Sequence, residues 1–339
     1  MPGTILVDAY PRALDLIFRP RDRRRLEQLG RVVWHDAGPA PARLVDPLLP
    51  DLVAVVGQTE LGRERLERAP HLRAIVNVEG NFLPNVDYVA CFARGIHVLG
   101  VGPLFGPPVA ELALGLALAA ARDIPQADAD VRAGREELFG GANERAFLLT
   151  GATLGLLGCG NLGRALVPLL RPFGGALLAH DPWLPSEAVR ALGVAPVGLD
   201  ELFERSRVVF VLAAPTTENE GLVGRSQLEA MQPGSVVVLV SRAPVVDWDA
   251  LLAAATSGRV RAAIDVFPEE PIPPAATVRR AAGTILSAHR AGNVPEIWPR
   301  FGELVADDLE AILGGRAPTR LQAADPATVT RLRSRPIAP

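Results

Sequence analysis

The chain has 339 residues, 49% of them hydrophobic, with 35 basic and 38 acidic side chains and a formal charge of −3. That is enough for a large core and two domains, and it lacks the one-signed field that nucleic acid or an anionic membrane selects. Every basic residue is arginine, because no lysine occurs anywhere, so a lysine Schiff base and a P-loop lysine are excluded.

The N-terminal stretch MPGTILVDAY meets an acidic residue before an apolar core forms, so it reads as a strand and not a signal peptide. Short apolar runs then alternate with helical patterns as in a βα repeat. TILVDA, RVVWHD, LVAVVG, LRAIVNVEG and IHVLGV read as strands, with amphipathic segments such as Arg21–Leu29 between them. The proline- and glycine-rich GPLFGPP, residues 102–108, reads as a boundary or hinge. A helix over Val109–Arg122 follows. Its apolar run, Val109–Ala121, carries Glu111 and is shorter than the ~20 residues of a membrane span. It reads as a buried helix at a domain or subunit interface. A second series begins at Ala152, with strands ATLGLLG, ALLAH, VVFVLA, SVVVLV, VRAAIDVF and TILSAH. Helices over Arg164–Arg171, Gln227–Met231 and Asp249–Ser257 lie between them, and one over Arg300–Leu313 comes after. Near-continuous apolar strands imply parallel sheets covered on both faces, an α/β fold. Residues from Gly315 onward read as a loosely held tail. The two cysteines, Cys91 and Cys159, form no ligand-spaced cluster. No disulfide scaffold and no metal site is expected, which suits a reducing cytoplasm.

The stretch TLGLLGCGNLG sets Gly158, Gly160 and Gly163 in G-x-G-x-x-G spacing. The motif alone is weak, but here it follows an apolar strand and opens a helix, and Asp181 ends the next strand. Glycines there permit a tight turn and close approach of backbone to a pyrophosphate at the helix N-terminus. Asn161 and Leu162, inside the motif, join the candidate cofactor contacts, as do Ala214 and Pro215 past the strand VVFVLA. A carboxylate at Asp181 suits the ribose hydroxyls and repels a 2′-phosphate, so NAD is expected over NADP. His180, beside it, reads as exposed.

Three more segments place polar side chains past strand ends, where α/β sheets hold ligands. Arg242 follows VVVLV, Asp265 ends VRAAI with Glu270 five residues on, and His289 closes TILSAH. With the glycine loop, this ordered set resembles the D-isomer-specific 2-hydroxyacid dehydrogenases, over about residues 70–313. The resemblance implies two flavodoxin- or Rossmann-like doubly wound domains, the cofactor domain inserted into the substrate domain. Their expected bounds are 1–104 with 291–315 for the substrate domain, 105–290 for the NAD domain, and 316–339 for the tail. It further implies that Arg242 grips a substrate carboxylate, that His289 exchanges the proton, that Glu270 pairs with His289, and that Asp265 lies near the nicotinamide carboxamide. A homodimer is implied too. The chemistry asks for such a set. Hydride delivered to a carbonyl leaves charge on oxygen, which needs a proton donor and a fixed cation. A carboxylate beside an imidazole favours its charged form, and a guanidinium matches a carboxylate fork to fork.

The departures fall on the substrate side. In EGNFLPNVD, residues 79–87, Gly80, Asn85 and Asp87 fit the family's loop, but Phe82 replaces its second glycine. By resemblance the loop amides meet the substrate carboxylate, so Gly80 and Asn81 are expected in the pocket, and Glu79 either there or solvated. Leu83 reads as a lid or a packing residue. After Arg242 stands Ala-Pro in place of the usual Gly-Gly. Ala288 precedes His289 where proline is usual, and Arg290 follows it. Arg290 reads either as a contact to a second anionic group or as a surface ion pair. Trp298 reads either as closing the pocket or, in the favoured reading, as packing the returning helix. Formate-oxidising members carry glutamine where Glu270 stands, so formate is not expected, whereas phosphite oxidation stays open. The alternative class is an NAD-sensing, corepressor-like protein that keeps the site and acts through partner contacts.

Overall fold

The structure is a computed structural model that describes residues 3–137 and 143–329. The chain divides into two compact units, one of Met1–Phe105 with Val294–Pro339 and one of Gly106–Asn293.

In the first unit, β1 (Thr4–Asp8), β2 (Arg31–His35), β3 (Leu52–Gly57), β4 (Ala74–Asn77) and β5 (His97–Gly100) pair in parallel in the order β5-β4-β3-β1-β2. Alternation along the strands explains why both faces are covered. Ile5, Val7, Val56 and Val76 pack with Phe18, Phe301 and Leu309 in one cluster. Their neighbours Leu6, Val55, Ile75 and Val98 pack with Leu49, Leu66 and Cys91 in another. The chain reverses direction across the sheet between β1 and β3, and loops after such strands meet in a crevice at the carboxyl edge.

The second unit holds β6 (Leu154–Leu157), β7 (Leu177–His180), β8 (Ala195–Pro196), β9 (Val208–Val211), β10 (Ser235–Leu239), β11 (Val260–Ile264) and β12 (Thr284–Leu286). They run in the order β12-β11-β10-β9-β6-β7-β8, every pairing parallel. The reversal falls between β6 and β9, so the glycine-rich turn after β6 sits at this sheet's switch point. The two-residue β8 had no signature in the sequence.

Three expectations need correction. First, residues 102–108 are not an irregular hinge. The helix runs over Gly102–Arg122 with Pro107 and Pro108 inside it, and the division between the units falls within it. Pro103 lies in the first turn, where the amide it lacks would have no partner, whereas Pro107 and Pro108 lie past that turn and each removes an intrahelical bond. By length and composition alone this 21-residue helix passes as a membrane span, with mean hydropathy 1.6; half of that window is buried inside the protein. Second, the strand leading to His289 is a half-exposed edge strand that ends at Leu286. Third, the segment after the helix Trp298–Leu313 is held down at least to Val329. There β13 (Gln322–Ala323) adds antiparallel to β5, and the buried Asp308 carboxylate accepts the amides of Thr319, Arg320 and Leu321.

Candidate active site

On the second unit, the turn after β6 is shaped by sterics. Gly158 has φ +99°, and a Cβ there would lie 2.8 Å from the Ala213 backbone. A Cβ on Gly163 would lie 2.7 Å from the Gly158 carbonyl. Gly160 is different: nothing stands within 4 Å of its Cβ position. The middle glycine leaves open ground at the N-terminus of the ten-residue helix Asn161–Leu170, where unpaired amides and the helix dipole favour a phosphate. These residues fit a dinucleotide. Asp181 braces the same turn. Its Oδ2 accepts the Cys159 amide at 2.7 Å, and its Oδ1 accepts the Trp183 amide at 3.0 Å. His180 is half-buried, not exposed, with Nδ1 3.1 Å from the Val197 carbonyl. Cys159 is wholly buried, and burial pushes its thiol up to about 12.

Asn161 and Leu162 open the helix half-exposed, Ala214 is exposed and Pro215 is buried. One residue that sequence reading missed fixes the turn at Ala214. Asn219 donates through Nδ2 to the Ala214 carbonyl at 2.8 Å and accepts the Thr216 amide at 2.7 Å. An asparagine a few residues past a strand end is a known turn former, so the signal was present.

The catalytic candidates come together at the carboxyl edges of β10, β11 and β12. The His289 Nδ1 faces Glu270 Oε2 at 2.6 Å, with both side chains partly exposed. Glu270 Oε1 accepts the Phe267 amide at 2.9 Å, so the carboxylate is fixed at both oxygens. Burial raises the Glu270 carboxyl, but the hydrogen bonds from His289 and Phe267 and the charges of His289 and Arg242 outweigh it. The net result is a carboxyl below its ordinary value. Arg242, half-buried past β10, turns Nη1 onto the Ser241 carbonyl at 2.7 Å.

The turn that carries His289 has φ +49°, an uncommon conformation outside glycine. Asp265 holds it. This wholly buried residue accepts the His289 amide on its carbonyl at 2.7 Å and the amides of Arg290 and Ala291 on its carboxylate at 2.9 and 3.1 Å. Asp265 therefore acts as the brace of the histidine turn. Arg290 is exposed, and its guanidinium makes no bond among the described residues.

On the first unit, the loop after β4 follows a different pattern from the expected one. Glu79 is neither solvated nor open: the Arg12 guanidinium holds it through Nε at 3.0 Å and Nη2 at 3.1 Å. Arg12 in turn lies over the Trp298 ring, 5.2 Å from its centroid. Trp298 packs edge-on against Phe105, as a core residue does. Gly80 and Asn81 are half-exposed in the loop, while Leu83 is buried, its carbonyl accepting the Tyr88 hydroxyl at 2.5 Å. Arg12 was invisible to sequence reasoning because its partner lies 67 residues away.

Comparison with known proteins adds to this geometry. The family model described as D-isomer specific 2-hydroxyacid dehydrogenase, NAD binding domain, matches residues 114–291. D-3-phosphoglycerate dehydrogenase of Methanocaldococcus jannaschii is 32% identical over 271 residues, 78% of this chain and 50% of that protein. The chain thus spans about half the length of the phosphoglycerate dehydrogenases it matches. Glyoxylate reductase of Korarchaeum cryptofilum is 30% identical over 293 residues, 85% of this chain and 88% of that one. A phosphoglycerate oxidoreductase from Rhizobium etli superposes with a TM-score of 0.87 at 39% identity, covering 97% of this chain and 100% of its own. An NADPH-dependent glyoxylate/hydroxypyruvate reductase from Sinorhizobium meliloti superposes at 0.72 with 27% identity, over 94% and 97%.

Proposed function

The chain belongs to the D-isomer-specific 2-hydroxyacid dehydrogenase family, and from that premise we propose that it interconverts a D-2-hydroxy acid and its 2-oxo acid with NAD(H). The observation that carries the reading is the His289–Glu270 pair at 2.6 Å, on the same parallel sheet whose switch point carries the glycine turn. Bound NADH supplies the hydride. In reduction, His289 gives the proton on Nε2 to the substrate oxygen while Glu270 holds Nδ1 and steadies the imidazolium. In oxidation, the same Nε2 takes the proton back. Arg242 grips the substrate carboxylate and polarises the 2-oxo group. Asp265 keeps the histidine turn in place beside the nicotinamide carboxamide. The amides of Gly80 and Asn81 meet the substrate carboxylate, and the free guanidinium of Arg290 is a candidate contact for a larger acid.

NAD is favoured over NADP by the carboxylate at the end of β7. Asp181 repels a 2′-phosphate, and it is followed by Pro182 and Trp183 rather than by an arginine. Self-association as a homodimer is part of the reading. Ile124, Val131 and Leu148 on the second unit are 53, 62 and 67% exposed, an apolar display that a partner copy would cover. The two free thiols, both buried, suit a reducing cytoplasm.

The test is NADH oxidation against glyoxylate, hydroxypyruvate, oxaloacetate and 3-phosphohydroxypyruvate, repeated with NADPH. The expected result is turnover of at least one acid with NADH preferred. Tight NADH binding with no turnover across the panel would favour the sensing, corepressor-like reading instead.

A further inference from the structure

We propose that Arg12 is a specificity-determining residue that binds a second oxyanion, phosphoryl or carboxylate, on the distal carbon of the substrate. The proposal rests on the reading that the Gly80–Asn81 loop meets the substrate's first carboxylate. A guanidinium has two edges that can each make a pair of parallel hydrogen bonds, one through Nε and Nη2 and one through Nη1 and Nη2. Glu79 occupies the first edge of Arg12, at 3.0 and 3.1 Å. The second edge has no partner among the described residues, and the side chain is 24% exposed, so solvent reaches it. The group is also preorganised. Glu79 clamps one edge and the Trp298 ring covers one face, and an ordered fork loses little entropy when it binds.

Placement gives this spare edge its use. Arg12 follows β1 and Glu79 follows β4, both at the carboxyl edge of the first unit's sheet, where open α/β sheets hold ligands. Glu79 is the residue directly before Gly80. The guanidinium is stacked on Trp298 and part-buried, so its open edge is held in one orientation. With Glu79 cancelling its charge, Arg12 selects by bidentate geometry more than by long-range attraction. The geometry suits the paired oxygens of a carboxylate or a phosphoryl group and offers nothing to a two-carbon acid such as glyoxylate.

The experiment is a kinetic panel on the full chain and on Arg12→Gln with glyoxylate, oxaloacetate and 3-phosphohydroxypyruvate. Losing a charged bidentate contact should lower kcat/KM for the distal oxyanion substrates at least ~10-fold more than for glyoxylate, mainly through KM. A selective loss with 3-phosphohydroxypyruvate alone assigns the phosphoryl group, and with oxaloacetate alone the carboxylate. Arg12→Lys, which keeps the charge but removes the planar fork, should show the same selective rise in KM. Equal losses for all three acids, or none, would overturn the proposal while leaving the redox reading intact. Should the wild-type chain turn over no acid, titration calorimetry with 3-phosphoglycerate and oxaloacetate in the presence of NADH decides separately. Binding that Arg12→Gln weakens ~10-fold supports the site, and no binding, or equal binding by both proteins, overturns it.

Discussion

Glu270 couples the stability of the fold to pH. Its carboxyl lies below the ordinary value of 4.5 in the folded chain, so folding favours the ionised form. That contribution is complete above the ordinary value and is lost as pH falls through the lowered one. Replacing Glu270 by Gln should therefore lower the Tm at pH 7, and the gap between the two proteins should close on acidification below pH 4.5. A Tm gap of the same size at every pH would show that the residue stabilises by packing and not by charge. The site's ordered residues were legible because each sits just past an apolar run, a pattern local enough to read. The roles of Asp265 and Arg12 were not. The first spends its carboxylate on amides 25 and 26 residues away, and the second meets Glu79 across 67. Contacts that far apart leave no trace in local composition.

At the scale of elements, the two turns that build the site are held by different means. The turn after β6 depends on glycine itself, since φ +99° and a backbone neighbour at 2.8 Å leave no room for a side chain at Gly158. Gly158→Ala should raise the NADH dissociation constant roughly 5- to 150-fold, from strain of about 1–3 kcal/mol, with the rest of the fold intact. An unchanged NADH affinity, read by fluorescence titration, would show that the turn absorbs a Cβ. The His289 turn has no glycine, and Asp265 supplies from below the hydrogen bonds that keep it. Sequence patterning placed most strands and helices well. At Gly102–Pro108 the three prolines and two glycines marked the boundary between the units correctly but hid that the segment is helical. Patterning failed at the edge strand β12, because an apolar run of three residues looks alike whether buried on two faces or one.

Across the whole molecule, the absence of lysine acquires a structural meaning. Arginines cap carbonyls that helices and turns leave unpaired: Arg94 reaches Leu66 and Ala69, Arg259 reaches Glu229 and Met231, and the buried Arg261 bridges Ala120 and Arg145. A planar fork can serve two carbonyls at once where an ammonium offers a single point. The fold class and the dinucleotide turn could be read from sequence since both depend on short-range periodicity and spacing. Substrate choice could not, since loop shape and side chains brought together from distant parts of the chain leave no local pattern. The most direct measurement is single-turnover NADH oxidation by His289→Gln, paired with NADH binding by fluorescence. Loss of the proton donor should slow reduction of the preferred 2-oxo acid by roughly 10²–10⁴-fold while NADH affinity stays within about twofold of wild type, as a residue outside the glycine turn predicts. Turnover that survives the substitution would contradict the assignment of His289 as the acid–base group.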